Sequence, residues 1–534
     1  MLEQLRSAPV MAFAMTGIWL LARYLYQRTV PSLRNVRGPP PESFFLGNIP
    51  QLISEDGHTF HTELTQNYGK VVKLHALLGG KHLYVFDHAA MEAILFQVDA
   101  FNMPDSFVAA NHVMFGPCLV STTGAHHRRS RKLMNPVFSP SRLRELVPIL
   151  YGVAHQSSSN LVKHLSPETP SEVDILPILG STALEFIGQA GLGHSFAESN
   201  SDALHAMKQL LFAAKRMIIP MQILPLLLRT MSPGLRRKLI DYVPLPDLHL
   251  ARDLVDILDG TTKTILAKKK EGLRLGDSVI REQIGQGKDI TSLLIKACDS
   301  EDGRMTEEEL LGQMSVILFA GVDTTSTTAA RCLQELSKNH VIQGRLRTEI
   351  ANASIHGNLD YETLCDLPLL DAIARETLRM YPAAITSSRE ALKDSVLPLS
   401  TPMMGIDGTP IAEVFVPRGT VVHIGIRAAN QDLTVWGDDA TEWKPERWLK
   451  PPPDEDVQIP GVRPKLMTFI GGPRGCIGYK FAEISLKVLL AVLIQDFEFS
   501  PSQAEIIWKL GQAEAPTVDG KQAMPIMMTA RASS

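Results

Sequence analysis

Cys476 sits in a ten-residue stretch, Phe469-Ile-Gly-Gly-Pro-Arg-Gly-Cys-Ile-Gly478, that holds four glycines and a proline. Such a composition can neither fill a core nor continue a helix, so it forms a loop that presents a side chain. The apolar, helix-favouring run over 479–494 follows at once and puts that loop at a helix N-terminus. Unpaired backbone N–H groups and the helix dipole favour a thiolate over a thiol there. A presented thiolate is a ligand or a nucleophile; a buried structural cysteine at a strand-to-helix turn is the plain alternative.

Three further groupings bear on chemistry. Residues 310–335 form a nearly continuous apolar helical pattern, yet its centre reads Ala320-Gly321-Val322-Asp323-Thr324-Thr325. Glycine, aspartate and paired threonines weaken a buried helix unless something needs them. Small residues let a flat cofactor approach the backbone, and a hydroxyl competing for carbonyls opens the ladder and seats water; a plain kinked helix has the same letters. Glu376 and Arg379, three apart in the helical pattern 369–380, share one face, and as an exposed ion pair they would be worth only ~0.5 kcal/mol. Tyr381-Pro382 ends that helix, and Pro445-Glu446-Arg447-Trp448 follows downstream. The basic cluster Gly124-Ala-His126-His127-Arg128-Arg129-Ser-Arg131-Lys132 reads by itself as a solvated helix face, and Arg389 as a surface arginine.

Phe469, Gly472, Arg474, Cys476 and Gly478 match at every spacing the F-x-x-G-x-R-x-C-x-G loop, which resembles the haem-ligand signature of the cytochrome P-450 superfamily. The resemblance implies a mainly α fold with small β-sheets, haem b as cofactor and Cys476 as axial ligand to its iron. It implies that Arg474, Arg131 and Arg389 hold the haem carboxylates, with His127 standing where the family's W-x-x-x-R pair has tryptophan. Ala320 to Thr325 is similar to the family's oxygen-binding groove, A-G-x-D-T-T, in which Thr324 would help deliver protons to dioxygen and Asp323 would relay them. Glu376, Arg379 and Arg447 resemble the structural triad that locks the cysteine-bearing loop. Residues 383–388 would line the haem pocket, and Val113, Phe115, Ile317 and Ala384 would suit a hydrophobic substrate.

Positioning these residues takes a large protein. At 534 residues the chain has room for several domains or one large enzyme domain. A net charge of −4 leaves no general basic surface, so nucleic acid is not an expected partner. Five cysteines without a CxxC pair fit a reducing compartment. Residues 8–22 are uncharged and mostly apolar, with Arg23 just beyond, marginal for the ~20 residues of a spanning helix. A single-pass anchor over 1–30 is expected, since no small-residue cleavage site follows. Arg23, Arg28, Arg34 and Arg37 on its C-terminal side put the catalytic domain in the cytosol, and the resemblance implies the endoplasmic reticulum membrane. Arg37-Gly38-Pro39-Pro40-Pro41 within 31–50 reads as a stiff hinge, leaving 51–534 as the catalytic domain.

Strands are expected over 71–77 and 82–86 around Gly79-Gly80, and hairpin strands over 414–422 around Pro417-Arg418-Gly419. Helices are expected over 176–187, 203–217 and 254–270. The run 217–228, with Pro220 and Pro225, is too short to span a membrane and in relatives looks like a substrate-access loop resting on the bilayer. No internal domain boundary is visible.

Only 58 residues follow Cys476 and no flavin or dinucleotide domain is visible, so electrons are expected from a separate NADPH-dependent reductase, with cytochrome b5 as a second donor. The implied reaction is oxidation of a hydrophobic terpenoid, sterol, other secondary metabolite or xenobiotic with O2, in a wording that looks fungal. A haem-thiolate isomerase or dehydratase consuming no O2, and a haem sensor or carrier, share the loop; Asp323 and Thr324 argue against both.

Overall fold

The computed structural model describes residues 33–531, apart from 164, 166–168, 198–216, 218–219, 276–284, 286, 299–304, 356, 450–458 and 512. Residues 1–30, where the anchor was expected, and all but Met217 of the expected helix over 203–217 lie outside the described residues. Among the described residues no helix is long and apolar enough to cross a membrane. The chain forms two compact units, each assembled from separate stretches. That interleaving is why no boundary shows as a break in composition.

The first unit comprises Met1–Pro104, Ile385–Asp432 and Gln458–Arg474. Its five-stranded sheet has the order Val71–His75, Lys81–Val85, Val421–Gly425, Thr386–Ala391, Phe101–Asn102. The first two strands pair antiparallel across a turn with Leu78 and Gly79 at positive φ, where glycine is the tolerant residue. The Pro417-Arg418-Gly419 turn exists, with Gly419 at φ 80°, but its flanking strands are not a hairpin. Pro410–Val416 pairs with Ser395–Met404, whereas Val421–Gly425 joins the larger sheet. Ala391 takes the turn away from a hairpin: its carbonyl accepts from Gly419 N–H at 2.7 Å and its N–H donates to Thr420 at 2.9 Å.

The proline-rich segment also departs from a free spacer. From Leu33 onward it is stitched to the body, with Leu33 and Val36 buried and the Arg37 carbonyl accepting from Lys73 N–H at 2.8 Å. A Cβ on Gly38 would lie 1.8 Å from the Lys73 carbonyl oxygen. Stiff, extended backbone here covers an edge strand.

The second unit comprises Asp105–Ala384, Leu433–Val457 and Gly475–Ser534 and is mostly helical. The expected helices appear as Leu176–Glu185, Pro246–Leu275, Glu307–Lys338, Pro368–Met380 and Tyr479–Asp496. After Leu176–Glu185 the chain continues in wider turns, Phe186–Leu192. The Glu307–Lys338 helix starts from a capping box in which Thr306 and Glu309 satisfy each other's N–H groups. The 217–228 run folds as a turn, Pro220–Ile223, and a short helix, Leu224–Thr230, that leaves Ile223 and Leu226 exposed.

One buried ion pair braces this unit. Lys269 Nζ meets Asp289 Oδ2 at 2.7 Å with almost no exposed surface on either side chain. Asp289 also accepts from the Ser292 hydroxyl and N–H at 2.8 and 2.9 Å. Gly193, at φ 61°, admits the lysine, since a Cβ there would lie 2.0 Å from Nζ. Lys269→Met strands a carboxylate in the interior and is expected to cost about 3–5 kcal/mol in urea unfolding. Lys269→Met with Asp289→Asn should recover most of that loss, because the amide still accepts from Ser292.

Candidate active site

Cys476 precedes the Tyr479–Asp496 helix, whose N-cap is Gly478. The cysteine is exposed, yet burial pushes its thiol up, against a hydrogen bond from Gly478 N–H and the positive charge of Arg131. Desolvation thus works against the helix-terminal thiolate expected from the dipole.

Arg131 reaches the cysteine loop from the Gly124–Met134 helix, donating through Nη1 to the Gly475 carbonyl at 2.6 Å. No carboxylate among the described residues pairs with it, and burial lowers its pKa. His127 is buried on the same helix at 4% exposure. His126 and Arg129 are engaged differently: both bond Glu309, His126 at 2.5 Å. Burial pushes the Glu309 carboxyl up, but the Thr306 N–H, His126 and Arg129 carry it below the usual range. Arg128 and Lys132, four apart, remain as the exposed basic pair.

The Glu307–Lys338 helix is buried along most of its length, including Leu318, Val322 and Thr325, but Ala320 and Thr324 are exposed on one face. Thr324 Oγ1 donates to the Ala320 carbonyl at 2.8 Å, and Thr327 and Thr328 bond back to Asp323 and Thr324 at 2.8 and 2.7 Å. The helix runs unbroken through this stretch, so these hydroxyls add bonds to the ladder and do not open it. Asp323 is half-buried. Gly321 serves packing: a Cβ there would lie 2.4 Å from the Ile187 side chain. Of the expected lining residues, Val113 and Ala384 are exposed and Ile317 partly so, whereas Phe115 is buried against Phe319 at a ring separation of 4.9 Å.

In the first unit, Arg389 lies on the Thr386–Ala391 strand with 2% exposure. It donates to Ser387 Oγ at 3.0 Å and to the Ser388 carbonyl at 2.8 Å, and no carboxylate among the described residues pairs with it. Burial and the charge of Arg474 push it down to about 10. Arg474 donates to Asn102 Oδ1 at 3.1 Å. The loop before Arg474 is tightly seated: Ile470 takes φ 55°, and a Cβ on Gly471 would lie 1.6 Å from the Pro460 carbonyl oxygen. Phe469 is partly exposed. Ser387 and Ser388, which hold Arg389, fall within the 383–388 stretch expected to line the pocket, though no spacing signal ties them to the arginine.

Glu376, Arg379 and Arg447 come together. Glu376 and Arg379 have no exposed side-chain surface and form a two-pronged pair, Nε and Nη2 each at 2.8 Å. Arg447 Nε, Trp448 Nε1 and Lys444 N–H donate to the same carboxylate at 3.1, 2.8 and 2.9 Å. Arg379 also donates to the Ala440 and Glu442 carbonyls, and Arg447 to Asp439. What the triad fixes directly is the 439–448 segment. A surface recess of about 680 Å³ lined by His340, Val341, Gly344, Arg345 and Glu349, among others, holds none of these residues.

A family model described as Cytochrome P450 matches residues 37–513. The chain is 43% identical over 522 residues to cytochrome P450 monooxygenase 212 of Postia placenta, covering 95% of this chain and 96% of that protein. It is 37% identical over 527 residues to ganoderic acid synthetase of Ganoderma lucidum, covering 96% and 95%. A cytochrome P450 monooxygenase of Hericium erinaceus is 35% identical over 547 residues, covering 98% of each.

Glu376→Gln keeps the shape of the side chain but takes the anion from the buried Arg379 and leaves Arg447 with Asp439 alone. It is expected to destabilise the protein by about 3–5 kcal/mol in denaturant unfolding; a loss below 1 kcal/mol, the size of a surface pair, would refute the network's structural weight.

Proposed function

Because the chain belongs to the cytochrome P450 family and is an oxygen-incorporating oxidoreductase as its relatives are named, we propose that it oxidises a hydrophobic small molecule with O2 and electrons relayed from NADPH by a separate reductase. The name of the Ganoderma lucidum relative, ganoderic acid synthetase, favours a terpenoid among the substrate classes considered. The observation that carries the reading is Cys476, an exposed side chain presented by the glycine-rich loop just before a helix N-terminus.

The family implies haem, and the donor set fits it. Arg389 is a buried guanidinium without a carboxylate, its pKa lowered by burial and by a second guanidinium, Arg474; Arg131 is likewise without one. Such groups call for an anion, and haem b carries two carboxylates. Cys476 would ligate the iron, with the Gly478 N–H tempering the sulfur. Arg131, Arg389, Arg474 and the ring N–H of His127 would hold the carboxylates, and Phe469 and Gly478 would shape the loop. When bound, haem supplies the activation of dioxygen that no side chain performs.

The remaining roles belong to side chains. Ala320 has only a methyl to offer a substrate, so the helix backbone can be approached closely. Thr324 Oγ1 spends its proton on the Ala320 carbonyl and keeps its lone pairs for a water, which it would orient as proton donor. Asp323, half-buried next to it, would resupply that proton. Arg128 and Lys132, the exposed basic pair, would meet an acidic face of the reductase or of cytochrome b5. Residues 1–30 would anchor the protein in the endoplasmic reticulum membrane as a single pass, with 51–534 in the cytosol.

Reduced wild-type protein under carbon monoxide should show the red-shifted Soret band of thiolate ligation, and Cys476→Ala should lack it. A well-folded, haem-loaded wild type without that band would end the monooxygenase reading. Thr324→Ala should keep the band while product formed per NADPH falls and hydrogen peroxide rises, with turnover to product down about 10²-fold, the scale of a positioned proton donor. Unchanged coupling would remove Thr324 from the proton path.

A further inference from the structure

Arg331 lies seven residues beyond Thr324 on the Glu307–Lys338 helix, about two turns along the same face. Its side chain is 11% exposed, and burial holds its pKa down to about 10. The guanidinium carbon is 3.4 Å from the ring centroid of Trp508 and 4.2 Å from that of Tyr381. Nη2 donates to Glu514 Oε2 at 3.2 Å and Nη1 to Gln334 Oε1 at 3.4 Å, while Nε has no partner among the described residues. The same Gln334 oxygen accepts from Trp508 Nε1 at 2.9 Å, and the Tyr381 hydroxyl donates to Glu335 at 3.2 Å.

Three stretches far apart in sequence thus meet on one planar cation. Trp508 and Glu514 belong to the hairpin formed by Ile507–Lys509 and Ala515–Val518 and the turn between them. Glu514 extends the connection, its N–H donating to the Ala383 carbonyl at 3.0 Å, and Ala384, the next residue, is exposed. Well-packed apolar residues could supply comparable stability without desolvating a charge. What a guanidinium adds is geometry, because a plane held by two rings and two acceptors admits one arrangement.

We infer that Arg331 is a positioning residue: it fixes the 507–518 hairpin and the 381–384 segment relative to the helix face that presents Ala320 and Thr324, and so sets the wall against which a hydrophobic substrate is oriented. The inference rests on the haem-enzyme reading above.

The test uses the full-length holoprotein, titrated with imidazole and with 1-phenylimidazole and followed by the Soret shift. Imidazole needs only the iron; the phenyl group also needs the wall. Arg331→Lys keeps the charge beside Glu514 but loses the planar stack. It should retain the carbon monoxide band and the imidazole affinity while 1-phenylimidazole affinity changes about tenfold, the scale of a reshaped apolar pocket. Trp508→Phe, which keeps a smaller aromatic face and loses the bond to Gln334, should leave imidazole affinity unchanged and move 1-phenylimidazole affinity less than Arg331→Lys does. An Arg331→Lys protein that binds both ligands as wild type does would overturn the inference. So would one that weakens both equally, since that is general loosening. If Arg331→Lys does not fold, Trp508→Leu, which removes one stacking ring and leaves the ion pair, reads the same ratio by the same criteria. A wild type without the thiolate band is a different failure, that of the haem reading, and it takes this inference with it.

Discussion

A carboxylate with no access to water, Glu376, accepts five hydrogen bonds from Arg379, Arg447, Trp448 and Lys444. Desolvating such a charge costs several kcal/mol, and only near-complete pairing repays it. The 439–448 segment has little regular structure beyond the short turn Pro445–Trp448, so few of its own backbone bonds hold it. Its carbonyls at 439, 440 and 442 are instead taken by the two arginines that Glu376 fixes. The network does there what a sheet ladder does elsewhere. Because an unpaired member is so costly, the arrangement is close to all or none, and the irregular segment inherits the rigidity of the Pro368–Met380 helix.

The contrast with Arg389 and Arg131, proposed above to hold haem carboxylates, is one of charge balance. Around Glu376 two carboxylates, Glu376 and Asp439, answer two guanidiniums. Among the described residues Arg389 and Arg131 have only hydroxyl or carbonyl acceptors. The thiol of Cys476 is out of balance in the opposite sense, raised by burial against the opposing charge of Arg131. One set of groups wants anions and the other wants a cation. In the second unit Arg131 and Cys476 show both kinds of imbalance side by side. Structural networks close their charge account, and binding sites leave it open.

What was legible in the sequence was local. The glycine loop, the i, i+3 spacing of Glu376 and Arg379 and the run Ala320 to Thr325 act over a few residues, and the structure places each in the expected kind of element. Long-range choices were not legible. The turn at Gly419 looked like a hairpin because turn chemistry is local, whereas the choice of partner strand was made by Ala391. Gly321 looked like an opening for a cofactor, but the space is taken by Ile187, more than a hundred residues earlier. Arg331, Tyr381, Trp508 and Glu514 form no motif at all, and only tertiary packing puts them on one plane.

The open face of the Glu307–Lys338 helix shows how such choices combine. A helix can present Ala320 and Thr324 only if its other faces are held, and the residues doing so lie on both sides of them in sequence. Glu309 ties its first turn to His126 and Arg129, Gly321 receives Ile187, and Arg331 gathers the hairpin and Tyr381. None of these contacts involves the hydroxyl of Thr324, yet each limits how the helix can shift or rotate beneath it. A proton donor misplaced by an ångström is a poor one. Thr324 is therefore positioned as much by three remote anchors as by the six-residue motif that drew attention to it.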